Sequence, residues 1–118
     1  MVWRRKIPET DVARLQRWCD SKVPPGARHE VRIEYHIRGA FVTLCESRPH
    51  WSGDGGWTHR KFFQLRYYED ERQWGLYYYK PYTDRWGRYA RGGVHSGSMV
   101  QMLEEVDFNS GRIFSDRF

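Results

Sequence analysis

The chain has few cysteines and no long apolar run, which excludes several classes of protein. Its two cysteines, Cys19 and Cys45, have neither the paired spacing of a zinc site nor that of a disulfide framework. Two free thiols are typical of a reducing compartment. No apolar run approaches the roughly 20 residues that cross a bilayer, and the basic residues 1–6 precede no signal-peptide apolar segment. We therefore expect a cytoplasmic protein without a membrane span.

Aromatic residues and arginine are abundant instead. Phe, Trp and Tyr make up 17% of the chain, and arginine supplies 16 of the 20 basic residues, for a net charge of +5. Arginine stacks on rings and forks onto phosphate, although a GC-rich genome would also raise the arginine content. The length of 118 residues predicts one domain over residues 1–118. Such a chain buries roughly two thirds of its unfolded surface.

Two segments have apolar residues at helical spacing and predict two helices. The first segment begins after Pro8 and ends before Pro24. Its apolar stripe consists of Val12, Leu15, Trp18 and Cys19. The second segment begins at Ser98, which forms an S-x-x-Q capping box with Gln101. Its stripe consists of Met99, Met102, Leu103 and Val106, and residues 107–118 are predicted to be a tail.

Alternating segments between the helices predict five strands. The strongest of them place Phe63, Leu65 and Tyr67 opposite Tyr78, Leu76 and Trp74 across a four-residue turn. A two-residue turn near Gly39 joins the first two strands. Residues 47–59, rich in glycine, are predicted to be a long loop. The fold class is α+β: a five-stranded antiparallel meander sheet with the N- and C-terminal helices packed on one face.

Short motifs distributed along the chain, taken in order, resemble one family. They are Val23-Pro24-Pro25 with Arg28, Tyr35-x-Ile37-x-Gly39, Val42-Thr43-Leu44, Arg48-Pro49-x-Trp51, Trp57-Thr58, Arg66-Tyr67, Trp74-x-Leu76-Tyr77-Tyr78, Arg85-Trp86-x-x-Tyr89, Leu103-x-x-Val106-Asp107 and Gly111-x-Ile113-Phe114. In these motifs the chain resembles the small uncharacterised bacterial proteins grouped as domain of unknown function 3024. The resemblance implies a stand-alone bacterial cytoplasmic domain, and it assigns no catalytic residue.

The sheet face turned away from the helices is the main candidate site. Alternation places six aromatic and arginine side chains there: Phe62, Arg66, Tyr68, Tyr77, Tyr79 and Arg88. Rings that stack on bases and cations that attract phosphate are typical of nucleic-acid binding. The same residue types dominate protein interfaces, so a protein partner or a homodimer is the alternative. Trp86 joins this face only if the preceding loop has an even number of residues.

Two weaker candidates remain, both in loops. The segment before the second helix offers an anion site at Arg91, Gly92, Gly93 and Ser96, although an ordinary capped loop explains the same residues. Catalytic or metal chemistry could use Glu46, His50, Asp54 and His59, although their spacing matches no metal motif. No nucleophile motif is present. We therefore favour a binding module over an enzyme and assign no catalytic residue, metal or cofactor.

Overall fold

The structure, a computed structural model, is a sheet with a helix at each end of the sequence. It describes residues 7–89 and 96–115, with side chains as far as residue 108. The helices are α1 (Glu9–Lys22) and α2 (Met99–Ser115), and a 3-10 turn covers Pro25–Ala27. The strands are β1 (Arg32–Arg38), β2 (Phe41–Pro49), β3 (Trp57–Tyr68), β4 (Gln73–Lys80), β5 (Arg85–Arg88) and β6 (Ser96–Gly97).

The first five strands pair in chain order, all antiparallel, so the predicted meander is confirmed. The predicted pairs of Phe63, Leu65 and Tyr67 with Tyr78, Leu76 and Trp74 are all present. Arg38 pairs with Phe41, so Gly39 and Ala40 form the first turn. Gly39 has a φ of +60°, which a II′ turn requires at its first central position and which glycine adopts without strain.

Both helices cover one face of the sheet, called the inner face, and enclose the core. Two indole N–H groups form hydrogen bonds between the layers that enclose this core. Trp74 in β4 donates to Asp11 of α1 at 2.9 Å, and Trp18 of α1 donates to Asp107 of α2 at 3.0 Å. A buried Trp normally needs such a partner for its N–H. The other fully buried large side chains include Leu15, Val42, Leu44, Leu65, Leu76, Met99, Met102 and Val106.

The β2–β3 hairpin is longer than the sequence predicts. β2 continues to Pro49 and β3 begins at Trp57, so the loop spans residues 50–56 rather than 47–59. The added strand residues are mostly polar or charged and show no apolar alternation, which is why the pattern missed them. A hydrogen bond of 2.8 Å from the His50 N–H to the Gly56 carbonyl closes the loop.

In the C-terminal part the predicted capping box is present, but the length of α2 and the presence of β6 differ from the prediction. The capping box is confirmed, since the Gln101 side chain accepts from the Ser98 N–H at 2.9 Å and the Ser98 hydroxyl accepts from the Gln101 N–H at 3.2 Å. However, α2 continues to Ser115, where a tail was predicted. The two-residue strand β6, which pairs with Trp74 and Gly75, was too short for a periodic pattern to reveal.

The buried thiol of Cys19 should make the fold sensitive to alkaline pH. Burial, followed by the nearby charges of Asp20 and Glu34, raises the pKa of Cys19 from 9.0 to about 12. Between these values the thiol ionises in the unfolded chain but not in the folded one. The stability that the protonated Cys19 thiol contributes to the fold is therefore lost as the pH rises from about 9 towards about 12. We expect urea unfolding to show this loss in the wild type.

Cys19→Ala is the control, because it removes the titrating group and leaves the other alkaline groups in place. The difference in unfolding free energy between wild type and variant should shrink as the pH rises through this window. A difference that stays constant with pH would contradict the protonated thiol.

Candidate functional site

The face of the sheet opposite the helices, called the outer face, carries five of the six predicted site residues in adjacent rows. Gln64 of β3 lies opposite Tyr77 of β4, and Tyr77 lies opposite Arg88 of β5. In the next row Tyr79 lies opposite Trp86. These pairs agree with the predicted register, and the four-residue turn before β5 places Trp86 on the outer face.

Arg66 lies between two rings at the centre of this face. Its guanidinium carbon is 3.8 Å from the centroid of the Tyr77 ring and 4.7 Å from that of Phe41. The Nε of Arg66 donates to Gln64 Oε1 at 2.8 Å, and Gln64 Nε2 donates to Thr43 Oγ1 at 3.1 Å. This relay fixes the guanidinium plane through Nε, so its two Nη groups remain oriented as donors.

The ring of Tyr68 lies across Gly75. A Cβ placed at Gly75 would be 2.6 Å from the Tyr68 hydroxyl oxygen and 2.8 Å from Cε2, so only glycine admits the ring there. The hydroxyls of Tyr68 and Tyr77 are hydrogen-bonded at 2.6 Å. Burial and this hydrogen bond raise the pKa of Tyr68, while Arg88 and Arg66 oppose the rise. The phenol therefore stays neutral, and the contacts with Gly75 and Tyr77 hold the ring in place.

A second aromatic group lies at the end of β4. The rings of Tyr79 and Trp86 are 5.2 Å apart and inclined at 58°. The Lys61 ammonium is 5.5 Å from the Tyr79 ring centroid. The Tyr79 hydroxyl donates to Asp84 in the β4–β5 turn, and this hydrogen bond is the main reason that the pKa of Tyr79 is raised.

Phe62 is not on the outer face, and this part of the predicted site is wrong. Leu44 pairs with Phe63 but Cys45 pairs with Lys61, so Phe62 is the extra residue of a β-bulge. A bulge reorients the side chains on its strand. Phe62 consequently packs against the core, and Lys61 takes the predicted place beside Tyr79.

The outer face is predominantly cationic. By strand register it carries Arg32, Arg38, Lys61, Arg66 and Arg88. By the same register, Glu34 in β1 is the one acid of the described strands on this face, and the adjoining turns carry Glu69, Asp70, Glu71 and Asp84. In the ranges 7–89 and 96–108, no acidic side chain forms an ion pair with Lys61, Arg66 or Arg88. The five cations therefore give the face a positive potential that favours anionic partners.

A comparison with protein-family models identifies the chain. The model described as "Domain of unknown function (DUF3024)" matches residues 4–116. The chain belongs to the DUF3024 family. A search of the curated proteins and a search of the solved structures found no match.

The anion site predicted in this DUF3024 chain falls mostly outside the described residues. Arg91, Gly92 and Gly93 are not among them. Ser96 lies in β6, where its hydroxyl donates to Gln73 Oε1 at 2.9 Å. That hydroxyl is thus used in a side-chain contact between β6 and β4.

The four residues considered for metal or acid–base chemistry serve local structure. Glu46 Oε1 accepts from Arg48 Nε at 3.0 Å, and Asp54 accepts from the Gly56 N–H at 2.9 Å. His50 Nδ1 pairs with the Ser52 hydroxyl at 2.7 Å, and His59 Nδ1 with the Ser47 hydroxyl at 2.6 Å. Within the described part of the chain, no three His, Cys, Asp or Glu side chains are grouped to hold a metal.

Sequence reasoning missed three features of this DUF3024 face. Lys61 and the ring-covered Gly75 depend on register and on a bulge, which have no local signal in the sequence. The third is a stack of Arg32 on Trp57, with the guanidinium carbon 4.0 Å from the ring centroid. It requires β2 and β3 to extend beyond the predicted strands.

No described helix is long and apolar enough to span a bilayer.

Proposed function

We propose that this DUF3024 protein is a bacterial cytoplasmic module that binds single-stranded nucleic acid through its outer face. The observation that carries the proposal is Arg66, stacked on Tyr77 and held by Gln64, with no acidic partner among the described residues. Such an arginine combines a flat stacking surface with donors for phosphate.

The surrounding residues supply the second requirement, which is rings for unpaired bases. Tyr68 is held across Gly75 by its hydrogen bond to Tyr77 and supplies one half-buried ring. Tyr79 and Trp86 provide a second stacking position one row away. Rings and cations alternating across neighbouring strands match the requirements of a single strand, whose bases stack while its phosphates attract cations.

Salt-dependent binding to labelled oligonucleotides tests the proposal. We expect fluorescence anisotropy with single-stranded DNA and RNA of about 12 nucleotides to show binding that weakens between about 50 and 200 mM salt. Arg66→Gln should weaken binding and reduce the salt slope by about one. Tyr68→Ala should cost about 1–3 kcal/mol of binding free energy, whereas Tyr68→Phe, which keeps the ring, should bind nearly as the wild type does.

Arg17→Gln is the matched control, because it removes the same charge from an exposed position on α1. It should leave the salt slope unchanged. Light scattering at low and high salt distinguishes nucleic-acid binding from the alternative, which is self-association of the protein. A dimer that survives high salt and requires Arg66 and Tyr77, with no oligonucleotide binding, would overturn the nucleic-acid proposal.

A further inference from the structure

A groove of about 410 Å³ runs between α1 and β1, on the edge of the sheet. Its helix wall includes Gln16, Cys19 and Asp20 of α1, together with Val23, which directly follows the helix. The three helical positions are spaced i, i+3 and i+4, which is one stripe of a helix. Cys19 and Val23 are each 3% exposed and give this wall an apolar base.

The strand wall of the groove is the edge of β1 rather than one of its faces. Four consecutive residues, 32–35, line the groove. Successive strand side chains point to opposite faces, so a cavity that contacts all four must run alongside the backbone. β1 is the first strand in the sheet order, and within the described residues only β2 pairs with it. Its outward N–H and C=O groups therefore border the groove.

Two arginines lie where β1 begins. Arg28 Nη2 donates to the Asp20 carbonyl at 3.3 Å, and Arg32 Nε donates to the Arg28 carbonyl at 3.1 Å. Arg32 is further held by its stack on Trp57. These contacts orient both guanidinium groups, and neither forms an ion pair with a described acid. A carboxylate is one group whose planar geometry matches such forks, because it can accept two parallel N–H bonds.

We propose that this groove binds an extended peptide that ends in a free carboxylate and adds as a strand to β1. The carboxylate lies at Arg28 and Arg32, so the peptide runs antiparallel to β1. Backbone pairing along an edge strand supplies affinity, and the groove beside it receives alternate side chains. At about 3.3 Å per residue, the four lining residues of β1 match about four residues of peptide.

The side chains of the groove define the composition of the peptide. Cys19, Val23 and Ile33 favour an apolar residue near the carboxylate. Asp20 and Glu34 also line the groove, which favours a lysine or arginine on the peptide. An acidic peptide without an apolar end fits the groove poorly. This site shares Arg32 with the edge of the outer face, but it does not include Arg66, Tyr68 or Tyr77.

A peptide library tests the proposal. Fluorescein-labelled hexapeptides, randomised over the last ~4 residues, are passed over the immobilised protein with either free or amidated C-termini. We expect enrichment from the free-carboxylate library, and a loss of affinity of about tenfold when an enriched peptide is amidated. In ¹⁵N-resolved NMR spectra the peptide should shift the amide signals of residues 32–35 before those of β4 and β5.

Arg32→Gln should weaken the enriched peptide by about tenfold, and Arg38→Gln, at the far end of β1, should have no such effect. Equal retention of both libraries would overturn the proposal. So would binding that is insensitive to both amidation and Arg32→Gln. The oligonucleotide assay with Arg66→Gln tests the outer face independently, so failure of one proposal is distinguishable from failure of the other.

Discussion

Replacing Trp74 by Ala should lower the free energy of unfolding by about 3–5 kcal/mol. The Trp74 side chain is 1% exposed and lies in the core between the sheet and the helices. Its removal leaves a large cavity and deprives Asp11 of its indole donor. A domain of this size has a total stability of only about 5–15 kcal/mol, so the variant should be close to unfolding. Urea titration followed by circular dichroism measures the change.

Trp74→Phe separates the two contributions to this loss. It keeps most of the ring but removes the hydrogen bond to Asp11, so it should destabilise less than Trp74→Ala. Trp51→Ala is the control, since that side chain is 90% exposed and should change stability little. Equal stability of Trp74→Ala and Trp51→Ala would contradict the buried position of Trp74.

Gly75→Ala should destabilise the protein by about 1–3 kcal/mol, although alanine ordinarily suits a strand better than glycine does. The new Cβ would lie 2.6 Å from the Tyr68 hydroxyl oxygen, so the ring must leave its place across the strand. The hydrogen bond between Tyr68 and Tyr77 is then broken. Thermal and urea unfolding give the stability change, and oligonucleotide anisotropy shows whether the displaced ring also weakens binding.

A double-mutant cycle shows whether the ring is the cause. With Tyr68→Ala already present, Gly75→Ala should be neutral or stabilising, since no side chain then crosses residue 75. Gly26→Ala is a control, because a Cβ there has nothing within 4 Å. The same loss at Gly75 in both backgrounds would show that the backbone, rather than Tyr68, excludes the methyl group.

The central strands could be predicted because their apolar and polar residues alternate. Leu65, Tyr67, Trp74 and Leu76 specify one register, since a shift of one residue would expose the whole inner set. The same logic placed Arg66, Tyr77, Tyr79 and Arg88 on the outer face. The residues at the ends of β2 and β3 are mostly polar or charged, and their pairing is set by backbone hydrogen bonds that the sequence pattern does not reveal.

The position of Phe62 could not be predicted, because a bulge is a local irregularity between two strands. Its presence depends on how β2 and β3 pair, and each strand read alone keeps its regular alternation. In the sequence, Gly75 likewise has only the character of a weak strand residue. The structure is needed to show that the ring of Tyr68 lies across it. The groove beside β1 requires the packing of α1 against the edge strand, which depends on tertiary structure.

The meander order also determines how the chain can assemble. Each of the first four strands joins the next across a short connection, from residues 39–40 to the longest at 50–56. The entropy lost in closing such loops is small, because it grows with loop length. The contact between Trp18 and Asp107 instead joins residues 89 apart. The sheet can therefore form by successive local steps, while the contact between the two helices closes a loop that contains all six described strands.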